Sequence, residues 1–339
     1  MKKKFIVALA MALSLTMVFM AACGNEKKEE PAKDAAEEAS TEAEEESAEA
    51  EEAGEEEEEE NYETGDASLD DPRNADDIGD VELLVASFGT SFNDNRRLTI
   101  GAIEADIEAA FPDYSVRRGF TSQIIIDHVK KRDNVAIDNI EEALARAESN
   151  GVKTLVVLPT HLMDGFEYND LVDEIAAKAD VFEKVAVGKP LLSSDEDFDR
   201  VAKALYEATK EYDDGETAII FMGHGTEAAS NSVYAKMQDV MAGLGYENYY
   251  IGTVEAAPTL DDVIAAIGAK EYKKVVLQPL MVVAGDHANN DMAGDEEDSW
   301  KTILQNEGYE VTCILKGVGE IEAIRAIYVE HAQEAVNSL

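Results

Sequence analysis

Short, mostly apolar runs recur along this chain about one helix apart, and that rhythm limits the folds open to it. Val81 to Ser87 (VELLVAS), Val152 to Leu158, Lys184 to Gly188, Thr217 to Met222, Tyr249 to Val254, Lys273 to Gln278 and Tyr309 to Leu315 are all of strand length. A shorter strand is expected near Tyr114–Arg117. Between the runs the period changes to that of a helix. Ile100, Ile103, Ile107 and Phe111 share one face, which stops before Pro112. Further helices are expected over Ile124–Lys131, from Glu167, and over Asp195–Tyr212. Asp138 and Glu141 have capping-box spacing, and Gly151 closes the helix that they would open. A strand apolar along its whole length must be covered on both faces, and strand–helix alternation makes neighbouring strands parallel. The expected fold class is therefore α/β with doubly wound parallel sheets.

The pattern occurs twice. A strand followed by Phe88-Gly89-Thr90 matches a strand followed by His224-Gly225-Thr226. Lys153 to Pro159 matches Lys273 to Pro279, and each proline is followed six residues later by a glycine, Gly165 or Gly285. Two residues further on lie Glu167 and His287. We expect two similar α/β domains, residues 81–215 and 216–339, facing a central cleft. In such sheets ligands sit at the carboxyl ends of the strands.

The first 80 residues follow other rules. Lys2, Lys3 and Lys4 precede an apolar run to about Met20, then Ala21, Ala22 and Cys23. Residues 1–23 read as an export leader that is too short for a resident membrane span. Met20-Ala21-Ala22-Cys23 resembles the lipobox of bacterial lipoproteins, which implies lipidation at Cys23. An ordinary secretory leader with an incidental cysteine is the alternative. Residues 24–80 hold 26 acidic residues against four basic ones and almost no large apolar side chains. Such a stretch cannot offset its ordering entropy and is expected to be a disordered acidic linker. An exported protein anchored to the outer face of the cytoplasmic membrane, or held in the periplasm, follows from these features. The formal net charge of −44 excludes nucleic acid as a partner, because phosphate binding needs a basic face. Two cysteines exclude a disulfide scaffold. Whether copies of the chain associate is left open.

Five histidines limit any nitrogen-ligated metal site. His224 lies between two glycines directly after an apolar strand, His287 lies just beyond another, and Glu255 ends a third. The three are 31 and 32 residues apart, about one βα unit each, so they can converge from neighbouring strand ends. Two imidazoles and a carboxylate can bind a divalent first-row metal with positions left open, and can also accept protons. Asp291, Asp295, Glu296, Glu297 and Asp298 are expected to be a solvated loop that attracts cations. His128 and His331 are expected at the surface, and His161 is ambiguous. The chain has no Gly-x-x-x-x-Gly-Lys-[Ser/Thr] loop, no Gly-x-Gly-x-x-Gly after the first strand and no Gly-x-Ser-x-Gly elbow, so no nucleotide is expected.

These residues resemble those of the anaerobic sirohydrochlorin cobaltochelatases, class II chelatases of cobalamin synthesis related to ferrochelatase. The matches are Ser87 to Ser91, Phe120-Thr121-Ser122, Met222 to Thr226, Val254-Glu255 with Pro258, and Pro279 through Trp300, including Ala284 to Asp295. The resemblance covers about Val81 to Val336. It implies two similar four-stranded domains around a tetrapyrrole cleft, with the metal held by His224, Glu255 and His287. It also implies ATP-independent insertion of Co²⁺, with Ni²⁺ or Fe²⁺ as alternatives, and His224 as the first choice of base. A sirohydrochlorin-like substrate is polyanionic. Its carboxylates would meet backbone amides near Gly89, Thr90 and Ser91 and the cations Arg96, Arg97, Arg117 or Arg118. Two positions depart from the family. Ala228 and Ala229 stand where a further histidine is common, and Phe166 stands where an acidic residue is. The leader supports a second reading, an extracytoplasmic lipoprotein that binds haem, another tetrapyrrole or a metal for uptake.

Overall fold

The computed structural model describes residues 64–339 apart from Asp77. The expected leader, Cys23 and the acidic stretch as far as Glu63 lie outside the described residues. The first half runs β1 (Val81–Ser87), α1 (Asn93–Leu98), α2 (Ile100–Ala110), β2 (Ser115–Phe120), α3 (Gln123–Asp133), α4 (Ile140–Ser149), β3 (Thr154–Pro159), α5 (Phe166–Lys178), β4 (Lys184–Val187) and α6 (Asp195–Thr209). The second runs β5 (Thr217–Gly223), α7 (Ser232–Gly243), β6 (Tyr249–Thr253), α8 (Leu260–Ile267), β7 (Lys274–Pro279), α9 (Trp300–Asn306), β8 (Glu310–Cys313) and α10 (Glu322–Asn337). Each half forms one four-stranded parallel sheet, in the order β2-β1-β3-β4 and then β6-β5-β7-β8.

The strand registers align the two copies residue by residue. Ala86 pairs with Pro159 in the first sheet, and Met222 pairs with Pro279 in the second. One step beyond, the Thr121 amide donates to the Ser87 carbonyl, and the Val254 amide donates to the Gly223 carbonyl. The next rung joins Ser122 to Phe88 and Glu255 to His224. Phe88, Ser122 and Glu167 thus occupy in the first sheet the places that His224, Glu255 and His287 hold in the second. Both turn glycines have positive φ, +108° at Gly89 and +92° at Gly225.

Alternation along the strands sends side chains to two faces. Leu84, Ala86, Leu155 and Val157 pack under α4 and α5, and Ala218, Ile220, Met222, Val275 and Leu277 pack with Val263, Trp300 and Leu304. The opposite faces of both sheets share a single apolar core. It joins Leu83, Val85, Val156 and Leu158 to Ile219, Phe221, Ile251 and Val276 through α2, α6, α7 and α10. The last helix therefore does not stay with the second sheet. α10 packs on β3, α2 and α6, and its buried Tyr328 hydroxyl donates to the Thr160 carbonyl at 2.7 Å.

Two expectations need correction. The linker does not run to residue 80, because described residues from Thr64 onward are bonded to the fold. The Asp94 amide donates to the Thr64 carbonyl, Arg146 pairs with Asp76, and Asp70 is buried between two arginines. Acidic composition marks a segment that cannot build its own core, yet single carboxylates in it can complete buried cations elsewhere. The cap of α4 lies one residue later than its spacing suggested. Asn139 accepts from the Glu142 amide, and Glu142 accepts from the Asn139 amide. Asp138 instead takes the Arg146 guanidinium at 2.6 and 3.0 Å.

Candidate metal centre

His224 leaves β5 in a turn that only small neighbours permit. A Cβ on Gly223 would overlap the Tyr234 ring at 2.1 Å, and one on Gly225 would lie 2.8 Å from the Ala256 amide. These close approaches bring the Glu255 turn beside His224, where the Glu255 amide donates to the His224 carbonyl at 2.9 Å. Thr253 Oγ1 donates to the Ala256 carbonyl, and Asn231 donates to that of Ala257, which holds the turn ahead of Pro258. His287 comes from the loop after β7, at the head of a π-helical turn over Ala288–Met292. Such turns concentrate at functional sites.

The three side chains converge. Ligand atoms of His224, Glu255 and His287 all lie within 4.8 Å of one another, a spacing that one ion can bridge. The two imidazoles meet edge to face, with centroids 4.5 Å apart and planes at 85°. His224 Nδ1 lies 2.9 Å from the Gly225 carbonyl and 3.5 Å from Glu255 Oε2. His287 Nδ1 lies 2.6 Å from Asp291 Oδ2. With each Nδ1–H donated to oxygen, each Nε2 keeps its lone pair for a ligand. The hydrogen bond to Asp291, helped by the nearby carboxylates, raises the His287 pKa above its usual value even though burial opposes it. The His224 and Glu255 side chains are 42% and 53% exposed, so the site is open to an incoming molecule.

Asp291 is the partner of a candidate ligand that the sequence reading left inside a loop. It lies four residues after His287, and that i,i+4 spacing is the signal that would have found it. Its neighbour Asp295 pairs with Lys301 instead. The Gly89-Thr90-Ser91 loop abuts the metal loop: a Cβ on Gly285 would sit 3.3 Å from Thr90 Oγ1. Its Thr90 and Ser91 carbonyls accept from Arg96 and Arg132.

The arginines expected to meet substrate carboxylates are buried or paired within the fold. Arg96 and Arg118 are fully buried and held by Asp70, Arg118 also by Glu104. Arg117 is buried in β2, and Arg97 pairs with Asp94. Nor is His331 at the surface: it is buried in α10 with Nε2 3.3 Å from Asp197 Oδ1. His161 stays apart from the metal cluster. Both its ring nitrogens are shielded from solvent and meet no partner, and burial pushes its pKa down to about 4.

Comparison with known proteins places the chain among relatives. Residues 82–337 match the family described as cobalt chelatase (CbiK). The sirohydrochlorin cobaltochelatase of Salmonella typhimurium is 37% identical over 255 residues, covering 75% of this chain and 96% of that protein. The sirohydrochlorin cobaltochelatase CbiKC of Nitratidesulfovibrio vulgaris is 31% identical over 259 residues, covering 76% and 91%. Two solved structures share the fold. SirB from Bacillus subtilis with Fe³⁺ superposes with a TM-score of 0.55 at 13% identity, over 77% of this chain and 97% of that one. The sirohydrochlorin chelatase SirB from Bacillus subtilis subspecies spizizenii in complex with cobalt gives 0.52 at 13%, over 76% and 97%.

Proposed function

The chain belongs to the cobalt chelatase family, and on that footing we propose that it inserts Co²⁺ into metal-free sirohydrochlorin without ATP. The observation that carries this reading is the convergence of His224, Glu255 and His287 at neighbouring strand ends. Co²⁺ is a substrate here. It rests on the two Nε2 atoms and the Glu255 carboxylate, with its remaining positions open toward the tetrapyrrole. As the metal enters the ring, two pyrrole N–H protons leave, so the charge carried in by Co²⁺ is balanced by two protons released. His224 is the first acceptor, since its imidazole loses the metal when the ring nitrogens gain it. Glu255 or His287 takes the second proton. Asp291 keeps the His287 ring turned toward the metal throughout. Ni²⁺ and Fe²⁺ fit the same donor set and are proposed as alternative substrates. The proposed location is extracytoplasmic, through a lipid on Cys23.

The test is direct. Purified chain, Co²⁺ and metal-free sirohydrochlorin should give the absorbance change of the cobalt complex. His224→Ala and His287→Ala should abolish it and weaken Co²⁺ binding in calorimetry. Wild-type turnover in both variants would overturn the site. The export leader favours the second reading, a tethered binding protein. That reading predicts tight binding of the tetrapyrrole or metal with no insertion by the wild type.

A further inference from the structure

The segment just ahead of β1 falls outside the family match, which begins at residue 82, yet it is bound into the fold against α1 and α2. Asp70 is the focus. Its carboxylate accepts from Arg96 Nε at 2.6 Å and from Arg118 Nη1 and Nη2 at 2.7 and 3.0 Å. Both arginines are fully buried, and Arg118 also grips Glu104 at 2.7 Å through two nitrogens. Arg73 of the same segment reaches Glu104 and Glu108. Nearer its start, the Thr64 carbonyl accepts from the Asp94 amide, and the Gly65 carbonyl accepts from the Asn93 side chain. Residues 64–73 thus form a strap whose attachments centre on α1 and α2.

From α1 the contacts continue to the metal loop. Arg96 also donates to the Asn93 side chain and to the Thr90 carbonyl. One residue before it, Asn95 Oδ1 accepts from the buried Ala284 amide at 2.8 Å, a bond between residues 189 apart in sequence. Ala284 precedes His287 by three residues. Thr99, directly after α1, packs against Gly319, which in turn touches the Val282 carbonyl. The loop that presents His287 is therefore seated on α1, and α1 is seated on the strap.

We propose that Asp70 and Asn95 are positioning residues: the strap fixes α1 through Arg96, and α1 fixes the Ala284–His287 loop through Asn95. The proposal rests on the reading of His287 as a cobalt ligand. It assigns to the pre-domain segment a part in metal affinity that the family match does not contain. A ligand-orienting partner is worth about 10- to 100-fold in metal affinity, and a support one step further out should be worth about 3- to 10-fold.

The experiment compares the full chain with Asp70→Asn, Asn95→Ala and the double variant, at a temperature where each is folded. Asp76→Asn is the control: it removes a carboxylate of the same stretch whose partner, Arg146, lies on α4. Two quantities are read: amide hydrogen exchange of residues 282–290 without metal, and the Co²⁺ dissociation constant by calorimetry. Expected are faster exchange and about 3- to 10-fold weaker Co²⁺ binding in both single variants, no further loss in the double variant, and no change in Asp76→Asn. A merely stabilising strap would lower the unfolding temperature of Asp70→Asn yet leave both readings at wild-type values, which overturns the proposal. So would fully additive losses. If Asp70→Asn does not fold, Asn95→Ala decides alone, and wild-type exchange and affinity overturn the link. If the wild type binds no Co²⁺, the metal-site reading has failed. Exchange then decides the strap by itself, faster exchange supporting it and unchanged exchange sinking it.

Discussion

Single residues at the candidate metal centre are held by the hydrogen bond behind them. Asp291 is 2.6 Å from His287 Nδ1 and should set both the tautomer and the ring angle. Asp291→Ala should weaken Co²⁺ binding about 10- to 100-fold, while Asp291→Asn, which keeps an acceptor, should lose much less. Calorimetry on the two variants checks the order. His161 gives a prediction of a different kind, because its ring nitrogens are shielded from solvent and without partners, and its pKa is pushed down to about 4. Its unfolded value is near 6.5, so between pH 6.5 and 4 the unfolded chain binds more protons than the folded one. Stability should then be fully present above pH 6.5 and fall as the pH drops to about 4, by at most about 3 kcal/mol. Denaturant titrations across that window should show the slope in the wild type and a flatter one in His161→Leu. An unchanged slope would place the acid sensitivity on other groups.

At the level of elements, caps and closing contacts decide where helices begin and which sheet they serve. The reciprocal bonds of Asn139 and Glu142 satisfy two amides at the start of α4. Asn139→Ala should cost about 1 kcal/mol, measured as a shift in denaturant midpoint. The helix was legible in the sequence, but its cap was displaced by one residue, since Asp138 has a guanidinium partner eight residues on. α10 matters more. Nothing local in its sequence indicates that it returns to the first sheet, where Tyr328 closes on Thr160. Tyr328→Phe leaves that carbonyl without its donor and should cost about 1–3 kcal/mol.

At the scale of the whole molecule, the two sheets repeat one topology without being independent. One core runs through both inner faces, and the last helix crosses back. Separately expressed residues 81–215 and 216–339 should therefore lack a cooperative unfolding transition, and a sharp transition in either half would contradict this. The strap gives a second test. A chain that starts at Val81 leaves Arg96 and Arg118 buried without Asp70, and losing one partner of a buried pair costs about 3–5 kcal/mol. It should unfold at lower denaturant than a chain that starts at Thr64. Acid should weaken the same contact. Burial alone would raise the Asp70 carboxyl, but the Arg118 and Arg96 guanidiniums hold it below the usual carboxylate value of 3.8. Its contribution is present above that value and is lost as the pH falls beneath it.

The amino-acid sequence alone determined the strand–helix rhythm, the duplication and the three residues that the fold brings together as a candidate metal centre. Each is written in short-range signals: apolar period, glycine at a turn, and one histidine or glutamate at a strand end. Only the tertiary structure decided which charges are free. Arg96 and Arg118 read as available cations until Asp70, 26 and 48 residues away, is found bonded to them. His331 reads as a surface residue until Asp197, 134 residues away, is found beside it. A side chain's burial and partner depend on what the fold brings to it from afar, and no local pattern records that.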